Sequence, residues 1–321
     1  MKNKLFTLFF LLVAGVGNMF AVYRHCYIGD LYYDLDEKTR TATVTYASLE
    51  FGEDNGFGPE LLFNQYWYID TANIPDEVEY ESVPYRVTSI GSDAFHSCGY
   101  LKSVTIPNSV KSIEYDAFCN CYNLTSVTLG NGIKRIDLSA FLGCYISTIH
   151  ISDLAAYCNV SFDGGNPFGY AYHLYLNETE ITDLVIPNSV KSIGSYVFSG
   201  CEGLKSVTIP NSVTSIGGGA FYWCTKLTSI TCMAVTPPTC GFDVFVNVDK
   251  NIPLYVPEGS ADAYRAANWW NYFNNIVEIQ MHEGINNVSA NFDGARKLFR
   301  DGQVLIHRGE KVYTVMGQEN K

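Results

Sequence analysis

Ten cysteines and six histidines are the side chains with most scope for metal or nucleophilic chemistry. The histidines, His25, His96, His150, His173, His282 and His307, are scattered, and none has the His-x-x-x-His spacing that puts two imidazoles on one helical face. Cys119-Asn-Cys121 is the nearest thing to a ligand pair. Cys121, however, falls in a periodic column whose side chains should face inward, which argues against zinc. No nucleophile elbow, phosphate-binding loop or dinucleotide glycine pattern occurs. The sequence therefore predicts no catalytic residues, no metal and no cofactor.

What remains is the chemistry of recognition. Tyr100, Tyr122 and Tyr145 recur beside a cysteine column, and Tyr222-Trp223 fill the two positions between Phe221 and Cys224. Rings of this size dominate interface energies and are costly to leave in water without a use. A second candidate surface carries Ser206, Thr208 and His150, which strand alternation turns outward. Neutral hydrogen bonds contribute only about 0.5 to 1.5 kcal/mol each, so a ligand held by that surface alone would bind weakly. The competing reading of the rings is that they shield the outer turns.

These side chains need a scaffold, and the sequence repeats one. Val190 to Ser212 reads V-x-S-I-x-x-x-A-F-x-x-C-x-x-L-x-S-V-T-I-P-N-S and closes after 23 residues. Phenylalanine recurs at Phe95, Phe118, Phe141, Phe198 and Phe221, and cysteine three residues later at Cys98, Cys121, Cys144, Cys201 and Cys224. The intervals are 23, 23, 57 and 23 residues, and 57 is one repeat of 23 plus a longer one of 34. One such unit cannot bury its own apolar face, so Val190, Ile193, Phe198, Cys201, Leu204, Val207 and Ile209 need equivalents from coils above and below. The fold expected is a β-rich solenoid, a leucine-rich repeat stack of 23-residue coils with an N-terminal β-hairpin cap and a C-terminal cap. Its outward strand positions are Ser103/Thr105, Ser126/Thr128, Thr148/His150, Asp183/Val185, Ser206/Thr208 and Ser229/Thr231.

The motif L-K-S-V-T-I-P-N-S-V-x-S-I-G-x-x-A-F-x-x-C resembles the BspA-like class of leucine-rich repeats over roughly residues 60 to 280. That class occurs in cell-surface and secreted proteins of host-associated anaerobic bacteria. The resemblance implies binding or adhesion rather than a reaction.

Around the repeats the expected organisation is a signal peptide at 1–21, a β cap and first strand at 22–86, the solenoid at 87–279 and a tail at 280–321. Asp30–Leu35 and Thr41–Tyr46 alternate like half-buried strands around a turn at Asp36–Arg40. Glu53-Asp-Asn-Gly56 lacks the ligand spacing of a calcium loop and reads as a solvated turn. Within the solenoid, one residue is missing before Ile146, and 152–180 is an insertion. It holds a helical turn opened by Asp153, a strand at His173–Leu176 and a tight turn at Asn177-Glu178. Either it carries specificity or it is a spacer. A C-terminal cap at 233–279 comprises a last strand at Pro253–Pro257, a helix with Ser260 as N-cap, and Trp269-Trp270 filling the end of the core, the alternative being a sugar platform. In the tail, Gln303–His307 and Lys311–Val315 form a lone hairpin, and likeness to the tails of other exported proteins implies sorting or attachment.

Parallel packing of the cysteine column favours buried thiols over disulfides, although neighbouring coils bring their Cα atoms within bonding range. Cys232 and Cys240, which flank Pro237-Pro238, are the pair expected to bridge.

Met1-Lys-Asn-Lys4, followed by the apolar run Leu5–Val13 and small residues near Ala21, has the order of a secretory signal, the alternative being an uncleaved anchor. Cys26, preceded by Tyr23-Arg-His25, does not suit lipidation. Cleavage removes Lys2 and Lys4 and no acid, moving the formal charge from −12 to −14. Such a surface repels nucleic acid and anionic membranes. The expected protein is exported, either displayed at the cell surface, where it would be associated with the outer membrane, or secreted. No transmembrane span remains after cleavage, and the partner is an extracellular protein or glycan, host-derived ones included. Two other classes stay open. A polysaccharide-acting enzyme would set carboxylates on neighbouring coils, and only Asp183 is acidic on the outward strand face. The other is a passive structural protein of the envelope.

Overall fold

The structure, a computed structural model, describes residues 23–28, 31–45, 69–163, 166–169 and 172–279, and in the tail the strands 291–292, 295–300, 303–308 and 311–314. The expected signal peptide, the Glu53–Gly56 turn and Gly164-Gly165 lie outside the described residues. The chain divides into two compact units, Met1–Ser152 with Phe162–Gly169, and Asp153–Ser161 with Tyr170–Lys321.

In the first unit each coil contributes two short strands to two parallel ladders. Ser89-Ile90, Ser112–Ile113 and Arg135-Ile136 pair in one. Thr71–Asn73, Ser103–Ile106, Ser126–Leu129 and Thr148–Ile151 pair in the other. Side chains of a strand alternate between faces, so Val104, Val127 and Ile149 are buried while the residues beside them face water. Ser126 pairs with Thr148, 22 residues on, because the coil lacks the residue before Ile146, and the ladder keeps its register.

Between the ladders each coil turns around its phenylalanine. Phe95 and Phe118 stack with ring centroids 4.8 Å apart and planes 5° apart, and Phe118 and Phe141 stack at 4.9 Å and 2°. These separations equal the spacing of neighbouring strands, about 4.8 Å, so the rings are held at the pitch of the backbone ladders. Phe168, at 5.2 Å from Phe141, continues the column. The turn itself is made by left-handed residues two before and two after the phenylalanine: Asp93 and Ser97 around Phe95, Asp116 and Asn120 around Phe118. Aspartate, asparagine and serine are the short polar residues that tolerate this conformation best after glycine.

Three thiols of the cysteine column are hydrogen-bonded to a neighbouring coil. The Cys121 thiol donates to the Phe95 carbonyl at 3.0 Å and the Cys144 thiol to the Phe118 carbonyl at 3.1 Å. In the second unit Cys224 does the same to Phe198 at 3.0 Å. The nine cysteines from Cys98 to Cys240 are free. The bridge expected between Cys232 and Cys240 is therefore corrected. Cys232 ends a strand paired in register with Ile209, whereas Cys240 lies in the other ladder beside Ile216 and contacts the Pro238 carbonyl.

Upstream, Leu31–Asp36 and Thr41–Thr45 are antiparallel, and Thr41–Thr45 also runs parallel to Val83–Ile90. Glu77–Tyr80 and Val83–Ile90 form a further hairpin through Glu81 and Ser82, both left-handed.

In the second unit Asp183–Val185, Ser206–Ile209, Ser229–Cys232, Pro253–Pro257 and Asn275–Ile279 form a parallel sheet. Pro253–Pro257 is thus not the last strand of the coil stack. Phe198, Phe221 and Phe245 stack at 5.4 and 5.8 Å, and Trp270, fully buried, closes the column 5.1 Å from Phe245. Its indole donates to the Pro238 carbonyl at 2.9 Å, so Trp270 is a core residue and not half of a sugar platform. The helix Ala261–Ala266 begins after Ser260, as expected, but the Ser260 hydroxyl donates to the Pro257 carbonyl instead of capping. The open N–H of Ala261 is taken by the Glu278 carboxylate at 2.9 Å. Inside the insertion Asp153 caps the helix Leu154–Cys158 by accepting from the Ala156 N–H at 3.0 Å. Tyr157 and Tyr172, both buried, converge on the Val197 carbonyl at 3.0 and 3.3 Å. In the tail, Gln303–Arg308 pairs with Lys311–Thr314 and also with Ala295–Arg300, which in turn pairs with Asn291–Phe292, so the lone hairpin is corrected to four strands. Among the described residues no helix is long and apolar enough to cross a membrane.

Candidate functional site

The first unit places Tyr122 and Tyr145 on the same turn of adjacent coils. The Asn120 N–H donates to the Leu142 carbonyl at 2.7 Å and the Phe118 N–H to the Ala140 carbonyl at 2.7 Å, locking one turn against the next and giving the two tyrosines equivalent positions on adjacent coils. Tyr145 is 71% exposed, the largest exposure among the described large apolar residues, and Tyr122 and Tyr100 are exposed as well. Tyr100 is two residues past Cys98, where Tyr122 is one past Cys121, so it stands one position out of their column.

Tyr222 and Trp223 belong to the second unit, their rings 6.4 Å apart and tilted by 56°. Tyr222 is half-buried and Trp223 is 43% exposed. Trp223 has a φ of 60°, in the column that other coils fill with Ser97, Asn120, Gly143, Gly200 and Asn247. Tyr196, φ 59°, is the other bulky exception, and its ring lies where a side chain on Gly219 would collide.

The outward strand positions form straight rows. Ser103, Ser126 and Thr148 make one in the first unit, and Thr105, Thr128 and His150 the other. In the second unit Asp183, Ser206 and Ser229 align, as do Val185, Thr208, Thr231 and Tyr255. Ser206 donates its hydroxyl to Asp183, which leaves it only its acceptor lone pairs to offer a ligand.

Variable columns of the repeat hold exposed residues that the sequence reading missed, Tyr115, Leu138 and Leu142 in the first unit and Phe242 in the second. Comparing those columns coil by coil would have found them. The pairing of His173 with Glu180 at 2.6 Å across the Asn177-Glu178 turn was also missed, although the turn itself was foreseen. Cys119 is buried, and burial, with Asp116 nearby, pushes its thiol up to about 11, the reverse of what a thiolate ligand needs. Among the described residues no three His, Cys, Asp or Glu side chains group as a metal site.

The ladders, the ring column and the thiol column all have the period of one known repeat. The model of the BspA type leucine rich repeat region matches residues 62–165 and 171–292 in six copies. The chain belongs to this family. Solved structures similar to this BspA type protein include a leucine rich repeat protein of T. pallidum, with 21% identity, 75% of this chain and 94% of the other covered, and a TM-score of 0.38. A leucine-rich repeat protein of Bacteroides capillosus shows 21% identity over 65% and 97% of the two chains, TM-score 0.29. A leucine rich cell surface protein of Faecalibacterium prausnitzii shows 18% over 81% and 95%, TM-score 0.25. No curated protein matches the chain.

Proposed function

We propose that the chain is an exported binding module, displayed at the cell surface or secreted, that adheres to an extracellular protein or glycan through the turns of its coils. What supports this reading is the set of exposed rings on the turns, Tyr100, Tyr122 and Tyr145 in the first unit and, in the second, Trp223 at a left-handed position that other coils fill with short residues. A buried core already satisfies the apolar requirement of the fold, so rings left in water are retained at a cost and need a use. The basic, then apolar, then small order of residues 1–21 supports export. No reaction is assigned to the protein.

The test is capture of extracellular-matrix proteins and glycans from an array. Tyr222→Ala with Trp223→Ala should weaken capture, and Ser206→Ala with Thr208→Ala should not, both variants being checked for folding. Loss only in the second pair would move the site to the strand face. Turnover of a polysaccharide without capture would overturn the reading. N-terminal sequencing of the native protein should begin near Val22, and recovery of Met1 would remove the export step.

A further inference from the structure

Two exposed apolar rows cross the turns of the first unit on either side of the buried Phe118 and Phe141 stack. Tyr115 and Leu138 are equivalent residues of adjacent coils, since Ile113 and Ile136 are paired in register and the Asp116 N–H donates to Ser139 Oγ at 3.2 Å. Tyr122 and Tyr145 form the second row, and the exposed Leu142 falls between Leu138 and Tyr145 along the turn. None of these five side chains is needed by the core, which Phe118, Phe141, Cys121 and Ile136 fill beneath them.

The charges on these turns have one sign. Residues 91–100, 114–123 and 137–147 contain Asp93, Glu114, Asp116 and Asp137 and no lysine or arginine. The cations of these coils, Lys102, Lys111, Lys134 and Arg135, lie outside the turns. Arg135 reaches Asp137 at 4.0 Å, and its closer partner is Asp163 at 3.0 Å. Among the described residues Asp93, Glu114 and Asp116 make no ion pair. Glu114, whose carboxylate accepts from Ser112 Oγ at 3.4 Å and keeps further lone pairs, and Asp116 bracket Tyr115, so a ring and two carboxylates stand within three consecutive residues.

We propose that this surface docks a polypeptide segment carrying lysine or arginine interspersed with apolar side chains. The proposal rests on the binding reading given above and names the partner class for the turns of the first unit. A cation placed over a tyrosine ring is attracted by its π face, and a nearby carboxylate adds a charge-assisted hydrogen bond. Leu138 and Leu142 supply the apolar floor that a purely charged surface lacks. The same negative field disfavours acidic glycans, nucleic acid and anionic lipid.

The experiment is calorimetric titration of the full chain with a short peptide of alternating arginine and leucine, its glutamate–leucine counterpart, and a neutral gluco-oligosaccharide. The arginine peptide should bind, more weakly as salt rises, and the glutamate peptide should not. Tyr115→Ser with Leu138→Ser, and separately Glu114→Gln with Asp116→Asn, should each weaken binding by about tenfold or more. Glu202→Gln with Glu258→Gln, equal in charge change and placed in the other unit, should leave it unchanged. Circular dichroism melting of every variant separates lost binding from lost structure. Equal weakening in all three carboxylate and aromatic variants would reduce the effect to diffuse acidity and overturn the proposal. So would no binding of the arginine peptide, or binding of the oligosaccharide that Tyr115→Ser with Leu138→Ser abolishes. A protein that captures an extracellular ligand through its aromatic turns yet ignores the peptide keeps the proposed function and refutes only this assignment of partner.

Discussion

The Cys121 thiol donates to the Phe95 carbonyl of the preceding coil at 3.0 Å, while the Phe95 N–H donates to the Ala117 carbonyl at 2.6 Å. Both backbone groups of the turn phenylalanine are thus satisfied by the next coil, one by main chain and one by sulfur. This gives the cysteine column a physical reason beyond volume, because an alanine there would fill less space and leave the carbonyl with the Cys98 N–H, at 3.1 Å, in place of two donors. Cys121→Ala is expected to cost about 1 to 2 kcal/mol, from a small cavity and the loss of one of the two hydrogen bonds to that carbonyl. Equilibrium denaturation in guanidinium measures it. A variant as stable as the parent would show that the thiol contact contributes nothing.

Alkaline sensitivity follows from the same thiols. Burial pushes Cys158 and Cys201 up to about 12 and Cys232 to about 11, from an ordinary 9.0. The folded chain holds these protons when the unfolded chain has released them. Their contribution is complete below pH 9.0, erodes from there upward, and is gone once pH passes about 12. Each such group removes up to about 1.4 kcal/mol per pH unit in that window. Denaturation midpoints under reductant should be flat from neutral pH to about 8.5 and fall steeply above it, less steeply in Cys201→Ala. A midpoint unchanged into strong alkali would mean the thiols ionise in place.

Phe198→Ala removes a ring held by Phe221 at 5.4 Å and by the edge of Tyr157 at 5.9 Å. The expected cost is about 3 to 5 kcal/mol, with lost hydrogen-exchange protection in the coils on both sides. Damage confined to one coil would contradict a continuous column.

The repeat and its inward columns were legible because a 23-residue period is imposed on every coil by the ladder register, and a substitution that breaks phase exposes a core residue. Phe245 escaped notice because it follows Phe221 by 24 residues and has Val248 where a cysteine would mark the turn. The hairpin at Glu81-Ser82 was not legible either. Both residues are left-handed, with φ of 50° at Glu81 and 63° at Ser82. They lack the asparagine or glycine that usually announces such a turn, and tertiary pairing of Val83–Ile90 with its parallel neighbours holds them there. The exposed rings were legible as residue types, but which of them lie open depends on packing. Tyr222 is half-buried and Tyr145 is not, though both sit on turns next to the cysteine column.

Glu278 supplies from a distant strand the cap that Ser260 was expected to supply locally. Glu278→Gln keeps an acceptor but removes the charge at the helix N-terminus and should cost about 0.3 to 1 kcal/mol, whereas Glu278→Ala should cost about 0.5 to 2 kcal/mol. Thermal melting ranks the two. Equal losses would assign the contribution to hydrogen bonding alone.

Trp223 tests whether a strained residue on the turns has been kept for a purpose. Two opposing effects meet there. The half-covered indole gains some burial, while the backbone is held at a φ of 60°. A bulky side chain in that conformation costs about 1 to 2 kcal/mol. Gly143 and Gly200, in the same column, do not incur that strain. Removing the ring alone cannot separate the two effects, so Trp223→Ala must be compared with Trp223→Gly. Both lose the indole, and only glycine relieves the backbone. Ordinarily alanine is the more stable choice by about 0.4 to 1 kcal/mol, because glycine loosens the unfolded chain. Here the order should invert, with Trp223→Gly the more stable by about 0.5 to 1 kcal/mol in guanidinium denaturation. If the ring is a ligand anchor, both variants should lose capture equally despite their different stabilities. Alanine more stable than glycine would remove the strain at Trp223, and capture that tracked stability instead of the ring would remove its role in binding.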